Sequence, residues 1–317
     1  MNKWLIPFLI VIVLVAAFFL LRPRISVYYY SKGQELADSS LFEQALKQYD
    51  RALWLDDSRP EYHIASGLAL DSLGEPERAI DQYSLALLID STDASTYLYR
   101  GLSYMEKEDL ASAIHDFSQT IALDADRLQA YFKRGQARMV RENFDDAVSD
   151  FTQVISLDST YADAYFGRGA AYRELGEEQK AVDDYSRALD LGKQDLSVYQ
   201  QRVKALANVK NYREAIHDYT KIIEMAGGSQ KLYYQRGYLH FLLNRYEEAI
   251  PDFSKTLDYS NDHRDALYYR AHSYSQTGQY QKAQADFTRV LDIDKDNPKV
   301  WYNRGLARMH LGNFAEA

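Results

Sequence analysis

The stretch DASTYLYRGLSYMEKEDLASAIHDFSQTIALDAD, from Asp93 to Asp126, decides the fold of this chain. Its first half sets Tyr97, Gly101 and Tyr104 at spacings of four and three. Its second half sets Ala113, Phe117 and Ile121 at spacings of four, so each half reads as a helix with one apolar face. Outward in both directions the same pattern returns at one fixed interval, the length of this stretch, with alanine at Ala45, Ala79, Ala113, Ala147, Ala181, Ala215, Ala249, Ala283 and Ala317. Twelve residues before each alanine stands Gly33, Gly67, Gly101, Gly135, Gly169, Gly237 or Gly305, with Val203 and Ala271 as departures. Four residues after it comes a ring: Tyr49, Tyr83, Phe117, Phe151, Tyr185, Tyr219, Phe253 or Phe287.

The small residues mark places where helices cross closely, and the ring fills the space beside them. Leu73-Gly74, Leu175-Gly176, Thr277-Gly278 and Leu311-Gly312 mark the turn inside the pair, because glycine takes the left-handed conformation that ends a helix. One such hairpin cannot bury both of its apolar faces, so neighbours must stack. Val203, with Gly192 and Gly227-Gly228 on either side, makes the sixth repeat the expected weak joint.

These residues resemble the tetratricopeptide repeat family, whose 34-residue pattern is W-x2-L-G-x2-Y, then A-x3-F, then P. The resemblance covers residues 26–317, about 8.6 repeats. It implies an all-α, right-handed superhelical solenoid of antiparallel helix pairs. The family proline is absent from its slot, and Asp56, Asp90, Asp124, Asp158 and Asp294 precede that slot, so polar turns such as Asp90-Ser91-Thr92-Asp93 are expected to end the second helices. The last repeat is cut at Ala317, and the natural gene is expected to continue with at least one more helix.

Residues 1–25 are of another kind. Trp4 to Leu21 is an unbroken apolar run of 18 residues, which spans about 27 Å as a helix and predicts one transmembrane anchor ahead of the array. Val15-Ala16-Ala17 offers a cleavage-like triplet, but Phe18 to Leu21 carry the run past it, which favours an anchor over a removed signal. Arg22, Arg24 and Lys32 follow the run where Lys3 and the amino terminus precede it, a small basic excess that favours the array on the cytoplasmic side of the membrane.

Composition narrows the chemistry. The 317 residues are 46% hydrophobic and 26% charged, which excludes long disorder and a polytopic membrane protein. A net charge of -9 argues against nucleic acid as a partner. Without cysteine there is no disulfide and no thiolate metal site or nucleophile. No phosphate loop, dinucleotide fingerprint, serine elbow or paired zinc-histidine motif occurs, and the seven histidines do not pair on one helical face. The sequence therefore predicts no enzyme, no cofactor, no metal and no small-molecule substrate.

Two stripes remain. Arg100, Arg134, Arg168, Arg202, Arg236, Arg270 and Arg304 precede the small residue. Asp116, Asp150, Asp184, Asp218, Asp252 and Asp286 follow the first six of them at one constant interval. In the first two repeats both members are missing, which points to a bridge between the two helices of a repeat. The alternative is an arginine ladder that grips acidic partners. The second stripe lies three residues before the small position and continues one or two turns on. Its candidate partner-binding residues are Leu98, Phe132, Phe166, Tyr234, Tyr268 and Tyr302, with Met105, Met139, Tyr238 and Phe241. The resemblance implies that this face lines a concave groove that binds extended or helical peptides, while stacking could equally bury it. No repeat carries the lysine and asparagine pair that would clamp a terminal carboxylate, which argues against a chaperone-tail receptor.

The reading is a membrane-anchored scaffold for protein or peptide partners. Its alternatives are the substrate-recruiting arm of a larger enzyme, such as a glycosyltransferase with its catalytic domain beyond residue 317, and a periplasmic or secreted assembly factor.

Overall fold

The computed structural model describes the backbone of residues 5–312 and the side chains from Phe8 onward, apart from Ala16. Trp4, at the start of the apolar run, and Ala317, the last of the periodic alanines, lie outside the described residues. Among the described residues all regular structure is helical. The chain divides into two compact units at residues 159 and 160.

The first unit holds α1 (Leu5–Asp38), α2 (Phe42–Leu55), α3 (Pro60–Ser72), α4 (Pro76–Ile89), α5 (Ala94–Glu106), α6 (Leu110–Leu123), α7 (Leu128–Val140) and α8 (Phe144–Leu157). The second holds α9 (Ala162–Glu174), α10 (Glu178–Asp190), α11 (Leu196–Asn208), α12 (Tyr212–Ala226), α13 (Gln230–Leu242), α14 (Tyr246–Tyr259), α15 (Arg264–Gln276), α16 (Tyr280–Ile293) and α17 (Pro298–His310). Within each unit every helix packs on the next in sequence, as the stacked-hairpin reading requires. The apolar run and the first helix of the first repeat are one element, because α1 is continuous from Leu5 to Asp38 and passes through Pro23.

Close approach of the two helices in a repeat explains the periodic glycine. A Cβ placed on Gly67 would stand 2.5 Å from the Tyr83 ring, and one on Gly101 would stand 2.7 Å from the Phe117 ring. These rings are buried in their repeats, as are Tyr49, Phe151, Tyr185, Phe253 and Phe287. The sixth repeat shows the converse. Val203 occupies the small position within the core, and its ring partner Tyr219 is only partly buried. Ala271 is tolerated, since Phe287 stays buried beneath it.

The turn inside each repeat is left-handed whichever residue occupies it. Gly74, Gly176, Gly278 and Gly312 have φ between 72° and 81°, and Ser40, Glu108, Glu142, Lys210 and Asn244 adopt φ of 57–60° at the corresponding positions. The helix is closed there by paired backbone bonds, such as Asp109 N to Tyr104 O at 2.9 Å and Glu108 N to Met105 O at 3.0 Å. Between repeats the aspartates cap as expected: the Asp90 carboxylate accepts from Thr92 N at 2.9 Å, and Asp93 accepts from Thr96 N at 3.1 Å.

The arginine stripe is structural. Arg100 donates to Asp116 through Nε at 2.7 Å and Nη2 at 2.9 Å, a bidentate bridge between α5 and α6. The same bridge joins Arg134 to Asp150, Arg168 to Asp184, Arg202 to Asp218, Arg236 to Asp252 and Arg270 to Asp286. A third partner gives no sign of itself in the sequence. Nη1 of Arg100 donates to Ser84 Oγ at 3.0 Å, Arg134 to Ser118 at 2.9 Å, Arg236 to Thr220 at 3.1 Å and Arg270 to Ser254 at 3.1 Å. Each of these arginines ties its own hairpin shut and ties it to the hairpin before. With the guanidinium so engaged, an acid-gripping ladder is excluded for these arginines. In the second repeat His63 Nδ1 donates to Gln82 Oε1 at 2.9 Å and takes over the bridge.

Two outcomes are expected. Glu108→Gly and Glu142→Gly should each stabilise the chain by about 0.5–1 kcal/mol in urea unfolding, because a side chain in the left-handed region is strained. Unchanged or lower stability would mean that the turn carries no strain. Arg100→Ala should cost about 3 kcal/mol, since it leaves the buried Asp116 carboxylate without its ion partner, and the double change with Asp116→Ala should cost clearly less than the sum of the singles. Additive costs would show that the pair does not interact.

Candidate functional site

The second stripe sits on the first helix of each repeat and leans on the repeat's own core ring. In the first unit the centroid of Phe132 lies 5.8 Å from that of Phe151. In the second, Phe166 lies 5.7 Å from Tyr185, Tyr234 lies 6.1 Å from Phe253 and Tyr268 lies 6.2 Å from Phe287. The stripe is thus a second layer over the core, half buried and half presented.

Leu98 corrects the sequence reading. It is 0% exposed and packs among Ala113, Phe117 and Ala130, so it is a core residue and cannot touch a partner. Its short branched side chain drops into the space under Phe117, where a larger ring at this position stands over the core. Met105 is partly buried against the same cluster, and Met139 is partly exposed one repeat on. The first unit also has a cleft that the candidate residues miss. About 480 Å³ in volume, it lies between α1 and α3 and is lined by Tyr30, Gln34, Glu61, Ile64 and Leu68. Tyr30 stacks on Tyr62 there with centroids 4.6 Å apart, and burial with nearby Glu61 raises its phenol pKa.

In the second unit Tyr234, Tyr238, Phe241 and Tyr268 come together around one residue, Tyr269. Its ring lies 5.0 Å from Tyr238, 4.9 Å from Phe241 and 5.4 Å from Tyr268. Tyr234 joins through Tyr238 and His263, with centroids 6.3 and 4.9 Å away. Beside this cluster a cleft of about 430 Å³ is lined by Phe241, Arg264, Asp265, Tyr268, His272 and Lys299. Tyr302 is 67% exposed on α17, with Met309 also exposed further along the same helix. Phe166 stands apart from the cluster, with the Lys193 ammonium 5.6 Å above its ring, and the stripe is interrupted by exposed Gln200.

Sequence reasoning missed Tyr269, and a signal for it existed. Its position holds Lys133, Gly167, Gln201, Gln235 and Asn303 in other repeats and a ring only at Tyr99 and Tyr269. Both rings reach back to the core ring of the preceding repeat, Tyr99 to Tyr83 at 6.0 Å and Tyr269 to Phe253 at 5.9 Å.

Burial, with Asp265 and Tyr238 nearby, pushes the Tyr234 phenol up to about 12, and burial raises Tyr269 and lowers His272. On the rim Arg264 pairs with Asp265 at 2.9 Å. The arrangement offers apolar walls and phenol hydroxyls, suited to holding side chains rather than transferring protons. Among the described residues no three histidine or carboxylate side chains converge as metal ligands.

Comparison with known proteins agrees with this architecture. The fold is similar to the crystal structure of MamA protein, at 24% identity over 54% of this chain and 93% of that one, with a TM-score of 0.52. It is also similar to Pseudomonas aeruginosa pilF, at 18% identity over 67% and 96% of the two chains, with a TM-score of 0.55. The C-terminal part of a TPR repeat-containing protein from Cytophaga hutchinsonii matches at 18% identity over 86% and 98%, with a TM-score of 0.56. No curated protein sequence matches the chain. A family model for the tetratricopeptide repeat matches residues 30–95, 132–195 and 201–267, and one for the TPR repeat matches residues 271–312. With its helix pairs, its ring-on-glycine contacts and these matches over most of its length, the chain belongs to the tetratricopeptide repeat family.

Proposed function

We propose that the chain is a non-catalytic membrane scaffold whose first-helix face holds a protein or peptide partner. Residues 4–21 anchor it, residues 26–317 form the array, and the excess of basic residues after the span favours the cytoplasmic side for that array. The anchor reading is supported by α1, whose apolar half reaches a mean hydropathy of 2.4 with its side chains left uncovered.

One observation carries the binding reading: Tyr234, Tyr238, Phe241, Tyr268 and Tyr269 form one half-presented aromatic cluster beside an open cleft. Tyrosine-rich patches of this kind supply large contact area at small entropic cost, and few of their members carry most of the binding energy. An extended segment with apolar side chains fits such a face, because its walls are aromatic and Arg264 and Asp265 beside it are paired with each other.

Affinity capture from native membranes tests this. Tyr234→Ala with Tyr268→Ala should lower the captured partner at least tenfold. Because these rings lean on Phe253 and Phe287, that pair should also lose about 1–2 kcal/mol of stability. Phe132→Ala with Phe166→Ala should weaken capture as well, at a similar cost in stability, because these rings lean on Phe151 and Tyr185. Capture should persist at raised salt. Capture that survives both pairs but disappears in moderate salt would move the site to a charged surface.

A further inference from the structure

One surface position changes character along the chain in a way that the repeat fold does not require. Near the end of each second helix, at the same place in successive repeats, stand Trp54, Leu88, Ala122, Ser156, Asp190, Glu224, Asp258 and Asp292, all exposed. The first two are apolar and almost bare, Trp54 at 75% and Leu88 at 83% exposure, with Leu85 and Ile89 exposed beside Leu88. The last four are acidic. In the sixth and seventh repeats the acid pairs with a lysine one turn back, Lys221 with Glu224 at 2.9 Å and Lys255 with Asp258 at 3.3 Å. The second repeat puts Leu85 and Leu88 where those solvated ion pairs stand.

The apolar pair lies on the edge from which α1 leaves the array. Helix α2 runs antiparallel to α1, so its last turn stands beside the end of the apolar run, and Arg22 Nε there donates to the Leu55 carbonyl. The Trp54 ring reaches Phe18 within that run, with centroids 6.4 Å apart. Phe18 lies about 6 Å along the helix beyond Arg22, the first charge after the run. Helix α3 leaves the same edge and α4 returns to it, which brings Leu85, Leu88 and Ile89 to that side.

Resting on the reading of α1 as a membrane anchor, we infer that this edge of the first two repeats sits in the bilayer interface, with Trp54 and Leu88 entering the headgroup region. Tryptophan is favoured at that depth, where its ring is in an apolar layer and its N–H remains wet. The loops on the edge carry Asp56, Asp57, Asp90 and Asp93, while Arg59 lies in the same loop and Arg22 and Arg24 follow the run, so the charges offset one another and the contact rests on the apolar side chains. It holds the first two hairpins against the membrane and restricts their tilt about α1.

The chain has three tryptophans, and with Trp4→Phe and Trp301→Phe its emission reports Trp54 alone. The full chain is placed in phosphatidylcholine vesicles that carry a nitroxide high on the acyl chain. Lipid nitroxide should quench Trp54 at least twofold, and iodide should quench it severalfold less than free tryptophan. A chain with Trp54→Phe and Leu88→Trp should behave alike. Emission open to iodide and untouched by nitroxide overturns the inference, as does emission shielded from both, which would mean that protein, such as a second copy, covers the edge. Flotation and carbonate extraction of the same vesicles separate the two readings. A chain that does not float, or that carbonate extracts, overturns the anchor and this contact together. A chain that stays embedded with Trp54 in water overturns the contact alone.

Discussion

The contact on which the rest depends is a core ring of each second helix against the bare backbone of the glycine in the first helix of the same repeat. Burying a ring of this size stabilises by about 2–3 kcal/mol, and a residue no larger than alanine at the crossing lets the two helices close over it. Gly67 with Tyr83 and Gly101 with Phe117 show how little room remains. Where Val203 fills that room, Tyr219 rises partly into solvent. The same ring carries the outer face, because Phe132, Phe166, Tyr234 and Tyr268 each rest on the core ring of their own repeat. Core and candidate binding surface are two sides of one aromatic layer, so a change in either is felt in both.

Electrostatics supply the coupling between hairpins. A guanidinium satisfied by a carboxylate on one side and by a hydroxyl of the preceding repeat on the other fixes register as well as closure. Where the arginine is absent, in the second repeat, other polar groups take its place. Tyr83 donates its hydroxyl to Asp71 at 2.7 Å and Ser103 donates to the same carboxylate at 2.8 Å, joining α3, α4 and α5. Burial raises the Asp71 pKa while these two donors hold it down.

Fold class and repeat boundaries were legible because both rest on residue type at a fixed spacing. The glycine, the ring and the alanine are demanded by sterics at almost every repeat, so the repeat period exposes them. The arginine–aspartate bridge was legible for the same reason, through its joint absence in the first two repeats. Its serine or threonine partner was not, since small hydroxyls are common on helix surfaces and stand out only once the guanidinium is seen to reach them. Leu98 was misread because periodicity identifies a face and not a depth: a leucine falls into the core where the rings of other repeats stand over it. Tyr269 was missed because its importance comes from the preceding repeat's ring, a contact between repeats that a pattern within one repeat does not contain. The left-handed turn at Glu108, Glu142 and Lys210 was hidden likewise, because these residues give no sign of the backbone conformation that glycine announces elsewhere.

Site-specific photo-crosslinking in native membranes tests the central claim most directly. A photoreactive phenylalanine is placed in turn at Tyr238, Tyr268 and Tyr302 on the first-helix face, and at Asp292, exposed on a second helix. If the aromatic face holds the partner, the three face positions yield the same protein adduct and position 292 yields none. Adducts from position 292, with none from Tyr238, Tyr268 or Tyr302, would contradict it.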